Sequence, residues 1–198
     1  MARKKVYVSS TLKDLEEHRS AVKATLERAG FDVECMEKYP AFDERPRDKC
    51  LADVAECDYY VLILAWRYGF QPEDDNPKKL SITHLEYEEA VRLKKPCLPF
   101  LLDPDAPWKR GFQDPDSHSP DSAICRFRDH VEKCHGRSFY TTRDGRVVLL
   151  IDEADDFVHA DRDKGYATLQ TFRAVSEEGR AQFILAGFWS LYKQAALD

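Results

Sequence analysis

Tyr59-Tyr-Val-Leu-Ile-Leu-Ala65 is seven residues long and carries no charge. A run this short and this apolar is the pattern of a strand covered on both faces, as in a parallel sheet between two helical layers. Working outward, Cys50, Leu51, Val54 and Cys57 space as a helix stripe before it, and Phe31–Met36 reads as a strand before that. Further back, Val6-Tyr7-Val8 is a short strand ending at Ser9-Ser10-Thr11. Leu15, Val22, Leu26 and Ala29 then share a helix face, with Thr11 and Asp14 as a capping box and Gly30 as the stop. Downstream, a polar loop from Gln71 to Leu80 leads to a helix from about Ile82 to Leu93, and Cys97–Leu102 is the next buried strand. This β-α-β alternation with short connections predicts an α/β, flavodoxin-like, doubly wound sheet with helices on both faces.

After Asp103 the pattern changes. All ten prolines lie between Pro40 and Pro120, and four of them (Pro104, Pro107, Pro115, Pro120) crowd the stretch 104–122, which reads as an exposed linker loop. Beyond it, 123–198 is expected to add a helix over Ala123–Cys134, a strand at Val147–Ile151, a helix around Tyr166–Glu178 and an apolar segment Phe183–Leu191. The strand at Val147–Ile151 would serve as the fifth, mostly parallel, strand of the sheet.

The chain has 198 residues, and 30 Lys and Arg against 36 Asp and Glu leave a net charge of −6. An acidic chain lacks the basic face that phosphate contacts need, so nucleic acid is not an expected partner. No apolar run reaches the ~18–20 residues of a membrane span, and the N-terminus has no secretory apolar stretch, so a cytoplasmic protein without a membrane partner is expected. The six cysteines read as free thiols. Cys125, His130, Cys134 and His135 do not follow a zinc spacing and are read as a solvated helix face, with no metal site.

One helix carries a carboxylate where its apolar stripe should be. At ~100° per residue, Ile82, Leu85, Ala90 and Leu93 share an arc, and Glu86 and Glu89 fall inside it. An ionised carboxylate against a core is paired, neutralised or facing a cavity. Arg19, on the stripe of the first helix, is the candidate partner. The alternative is a site, since ligands of open parallel sheets bind beyond the carboxyl ends of the strands. Ser9, Ser10, Trp66, Arg67 and Tyr68 stand at those ends and suit a ribose-bearing ligand, with aromatics for a base and Arg67 for phosphate.

Val6-Tyr-Val-Ser-Ser-Thr-Leu-Lys-Asp-Leu-Glu-Glu-His-Arg19, Cys57-Asp58, Trp66-Arg-Tyr-Gly69, Ser81-Ile-Thr-His-Leu-Glu-Tyr-Glu-Glu-Ala90 and Lys95-Pro-Cys-Leu-Pro-Phe100 resemble domain of unknown function 4062. That domain sits at the N-terminus of signalling or conflict-type NTPases and is similar to TIR domains. The resemblance covers about residues 4–103 and implies a TIR-like domain over 1–103. It implies Glu86 as the catalytic glutamate of a cleavage of the nicotinamide N-glycosidic bond, with Ser9, Ser10, Trp66 and Tyr68 lining the pocket. NAD is then substrate, and no cofactor is bound tightly. Ile82-Thr-His-Leu-Glu86 stands where many TIR enzymes have Trp-Cys-x-x-Glu. Arg146-Val-Val-Leu-Leu-Ile-Asp-Glu153 resembles the Walker B strand of a STAND or AAA-type ATPase, with Asp152 for Mg²⁺ and Glu153 for the attacking water. No GxxxxGK[ST] phosphate loop is present, so ATP hydrolysis is not expected. The alternative to an enzyme is a non-catalytic module of a degenerate STAND-type NTPase, acting by self-association or through a signalling partner.

Overall fold

The computed structural model describes residues 3–28, 30–35, 46–135, 138–143, 146–151, 170 and 181–185. The chain forms two compact units, one of Met1–Phe100 with Trp108–Val131 and one of Leu101–Pro107 with Glu132–Asp198.

In the first unit, β1 (Lys5–Ser10), α1 (Glu16–Arg28), β2 (Asp32–Glu34), α2 (Pro46–Glu56), β3 (Tyr59–Leu64), α3 (Ile82–Arg92) and the start of β4 (Cys97–Leu102) alternate as the sequence predicts. The strands lie in the order β2-β1-β3-β4, and β1 pairs in parallel with both β2 and β3. The apolar run decides this: Tyr60, Leu62, Ile63 and Leu64 are all buried, which requires cover on both faces. Connections leave β1 toward β2 and leave β3 toward β4, so the order reverses between β1 and β3. Their C-terminal ends are the crevice position of a doubly wound sheet.

The first helix begins later than its sequence suggests. It starts at Glu16, five residues past Thr11, so the expected Thr11–Asp14 capping box does not form. Turns occupy the chain between β1 and α1, and Thr11 instead puts its methyl against the Gly69 backbone. Gly69 has φ +93, and a Cβ there would lie 3.0 Å from Thr11 Cγ2, so this crossing takes glycine alone.

Stretch 104–122, expected as a linker, is tied down from Trp108 onward. Asp114 N–H donates to the Trp66 carbonyl at 2.9 Å, the Asp114 carboxylate accepts from Tyr68 N–H at 2.7 Å, and Arg67 Nη2 donates to the Gly111 carbonyl at 2.7 Å. This strap leads into α4 (Ala123–Cys134), where the buried residues are Ile124, Phe127, Arg128 and Val131.

In the second unit, Leu101 and Leu102 of β4 pair in parallel with Phe139 and Tyr140 of β5 (Ser138–Arg143). β5 turns back into antiparallel β6 (Arg146–Ile151), which pairs in parallel with β7 (Ala181–Leu185). The strand beside β4 is therefore β5, not Val147–Ile151 as expected. Ser-Phe-Tyr-Thr-Thr-Arg is mostly polar and offers no apolar run to read, yet its aromatic and β-branched residues suit a pleated surface. Of the helix expected around Tyr166–Glu178 only Gln170 is described, and it is helical. Asp152, Glu153 and the apolar residues beyond Leu185 lie outside the described residues. Among the described residues no helix is long and apolar enough to cross a membrane.

Candidate active site

Side chains alternate along β1, so Tyr7 and Ser9 share one face while Val6, Val8 and Ser10 share the other. On the other side of this strand Arg19 of α1 donates from Nη1 to the Ser10 carbonyl at 2.9 Å and to its Oγ at 3.3 Å. The Tyr7 and Ser9 face meets α3, against which α2 also packs. α3 is fixed at its start by Ser81, whose hydroxyl accepts from His84 N–H at 3.3 Å. Its buried residues are Ile82, Thr83, Glu86, Tyr87 and Ala90. The buried stripe is thus turned by about one residue from the expected arc, taking in Tyr87 and leaving Leu85 half-buried.

Of the two glutamates expected inside that arc, one goes to the core. Glu89 makes a two-pronged ion pair with Arg92 at 2.6 and 2.7 Å, which holds its carboxyl below the usual range. Glu86 is only 3% exposed. Tyr7 Oη donates to its Oε1 at 2.8 Å, Ser9 Oγ donates to its Oε2, and the Cys50 thiol of α2 adds a third hydrogen bond. Burial pushes the Glu86 carboxyl above its ordinary value, opposed by those three bonds and by the charge of Arg19 at longer range. Arg19 is therefore a distant influence and not the sealing partner. Burial and the Glu86 charge push the Cys50 thiol up to about 12, so it donates and does not ionise. Tyr60 stacks parallel to Tyr7, ring centroids 6.1 Å apart, and burial raises its hydroxyl well above the ordinary range.

The other expected site residues sit elsewhere. Ser10 faces Arg19. The Trp66 ring lies under the Arg128 guanidinium at 4.2 Å and beside His118 at 4.5 Å. The Tyr68 hydroxyl is hydrogen-bonded to His84 Nδ1 at 2.9 Å. Both rings are buried by their own neighbours and offer no open platform. Arg67 reaches Gly111 and approaches Asp14 Oδ1 at 3.8 Å. Of the expected set, only Ser9 touches Glu86. In the set read as a solvated face, Cys125 Sγ donates to the Ser117 carbonyl at 3.0 Å and His130 Nε2 lies 3.4 Å from Glu88. Among the described residues no group of three or more His, Cys, Asp or Glu is arranged to hold a metal ion.

Tyr7 and Cys50 escaped sequence reading as site residues. The signal for Tyr7 was available: Tyr7-x-Ser9 is the period-two spacing that puts both hydroxyls on one face. Cys50 looked like ordinary apolar stripe.

Residues 5–153 match the family model described as Domain of unknown function (DUF4062). No curated protein matches the chain. Among solved structures it is similar to a CMP N-glycosidase of Clostridium botulinum, BcmB, at 18% identity and a TM-score of 0.33, over 50% of this chain and 72% of that one. A likeness that slight carries nothing about chemistry.

Proposed function

The chain belongs to the DUF4062 family, and on the geometry of its buried carboxyl we propose that it cleaves the N-glycosidic bond of a nucleotide, with Glu86 at the reacting carbon. One observation carries this reading: Glu86 is buried with hydroxyl and thiol donors around it and, among the described residues, no cation paired to it. A fold gains nothing from such a group, since an apolar or amide side chain there avoids the desolvation penalty of the charged form. Buried carboxylates held by donors from separate elements are how sites tune proton affinity.

In the reaction the C1′–N bond breaks and its electron pair leaves with the base. Positive charge then develops over C1′ and the ring oxygen, facing the Glu86 carboxylate. Water adds at C1′, and its proton passes to the carboxylate, whose raised proton affinity suits that step. An ionised carboxylate has about four acceptor positions. Tyr7, Ser9 and Cys50 fill three of them, which leaves one for the sugar.

NAD is the proposed substrate and nicotinamide the leaving base, in a TIR-like signalling or defence role with self-association. Asp152-Glu153 is read as an inactive Walker B remnant of a STAND-type NTPase. The test is nicotinamide release from NAD by wild type and Glu86→Gln, at dilute and at high protein concentration. Release by wild type and none by the variant is expected. Equal background release from both at high concentration would favour the non-catalytic module.

A further inference from the structure

Just past the end of β3, Trp66-Arg67-Tyr68 meets one segment of the same unit, Trp108–Asp116. Three hydrogen bonds join them: Tyr68 N–H to the Asp114 carboxylate at 2.7 Å, Arg67 Nη2 to the Gly111 carbonyl at 2.7 Å, and Asp114 N–H to the Trp66 carbonyl at 2.9 Å. At its other end the Trp108 ring faces His18 of α1, centroids 5.5 Å apart. The segment therefore lies across the crevice position of the sheet, from α1 to the end of β3.

Two features make this segment a body that comes away whole. It is wound on itself: Phe112 N–H donates to the Lys109 carbonyl at 2.8 Å, Gln113 Nε2 to the Trp108 carbonyl at 3.0 Å, and Trp108 Nε1 to the Phe112 carbonyl at 3.4 Å. None of its residues is buried. Ser117, the next residue, is buried, and its carbonyl accepts from Cys125 Sγ of α4 at 3.0 Å, which fixes the far end. A segment with no buried residue, held by a few bonds near the surface, opens locally without unfolding its domain.

What it covers is a pair of donors. Tyr68 N–H and Arg67 point at a carboxylate and a carbonyl of the segment, the places that the acceptor oxygens of an anionic ligand take. Asp114 already puts its negative charge near Asp14, so a phosphodiester in its place exchanges charge for charge.

We propose that Trp108–Asp116 is an autoinhibitory lid, whose Asp114 carboxylate and Gly111 carbonyl occupy Tyr68 N–H and Arg67 until a nucleotide phosphate displaces them. That the phosphate belongs to a nucleotide rests on the glycosidic reading of Glu86, while the lid rests on its own bonds.

The test is hydrogen exchange of the full chain, followed amide by amide. In wild type the Tyr68 and Asp114 amides should exchange together, at least tenfold faster than those of β1 and β3. Asp114→Ala should speed the Tyr68 amide at least tenfold more and leave β1 and β3 unchanged, with Asp114→Asn in between should the alanine variant fail to fold. NAD at millimolar concentration, added to the Glu86→Gln chain, should speed the Asp114 amide and slow that of Tyr68, whereas nicotinamide riboside, which has no phosphate, should do neither. Exchange of both amides as slow as in β3, or NAD leaving both unchanged, would overturn the proposal. Inorganic phosphate matching NAD would keep the lid and its displacement and take the nucleotide out of it. Displacement by NAD without nicotinamide release by wild type would leave the lid standing and remove the Glu86 chemistry. Release with the lid amides untouched by NAD would do the reverse.

Discussion

Tyr7 Oη donates to Glu86 Oε1 at 2.8 Å, a bond that joins the middle of β1 to the middle of α3 across 79 residues of sequence. It puts a phenol from a central strand and a carboxylate from a covering helix in one buried polar knot. Ser9 and Cys50 complete the knot from β1 and α2.

Glu86→Gln should leave the protein as stable at pH 7 as wild type, or more so. Because burial raises its carboxyl in the folded state, the native protein holds that proton better than the unfolded chain does. Glu86 therefore favours folding at low pH, and that contribution fades as pH climbs from about 4.5 through the raised value. Glutamine keeps the shape and never ionises. Urea midpoints at pH 5 and pH 8 check this: the variant should lose less than wild type between them. A loss of about 3–5 kcal/mol at pH 7 is what breaking a buried ion pair gives, and would mean that a cation balances Glu86 after all.

Tyr7→Phe removes one of the bonds that hold the Glu86 carboxyl down and leaves a buried acceptor short of a donor. The expected destabilisation is about 1–3 kcal/mol. Its effect on pH dependence is more diagnostic. If the ionised carboxylate faces the developing cation, activity rises with pH as Glu86 ionises, and the variant should shift that rise to higher pH. An unshifted profile with reduced amplitude would make Tyr7 a packing residue only.

Gly69→Ala and Gly30→Ala separate backbone strain from crowding. Both glycines have positive φ, +93 and +89, so both substitutions carry the left-handed penalty of roughly 1–2 kcal/mol. Only Gly69 meets a neighbour, Thr11 Cγ2 at 3.0 Å, while Gly30 has open space around it. Gly69→Ala should be the costlier of the two by denaturant midpoint. Equal losses would show that the crossing over β1 has room to relax.

The fold was legible where physics acts locally. Tyr59–Ala65 could be nothing but a doubly covered strand, and the wheel of α3 pointed to Glu86 without any relative. What failed was set by distant contacts. Thr11 and Asp14 have the spacing of a capping box, but the turns after β1 and the approach of Gly69 took Thr11 for another purpose. Trp66 and Tyr68 have the composition of an open aromatic platform. The strap from Trp108 and the Arg128 guanidinium, lost in the charged run Cys-Arg-Phe-Arg-Asp-His, cover them instead. β5 was missed because its partner, β4, supplies what its own sequence does not advertise.

His84 should set much of the acid limb of stability. Its ring lies flat on Phe127 at 3.9 Å between centroids, its Nδ1 is bonded to the Tyr68 hydroxyl at 2.9 Å, and its Nε2 stands 3.5 Å from Glu88. Burial lowers its pKa to about 4, with Glu88 opposing and His130 and Lys78 assisting. The unfolded chain takes up that proton near 6.5, the folded one only near 4, so stability drops as pH falls through this window and is whole above it. His18, lowered by burial, adds in the same direction. His84→Gln keeps a partner for Tyr68 and cannot titrate, so urea midpoints at pH 7, 5.5 and 4.5 should fall less steeply than in wild type. Parallel slopes would mean that His84 is protonated in the fold with Glu88, one turn on in α3, as its counter-ion, and that its contact with Phe127 of α4 is a cation on a ring and not a neutral stack.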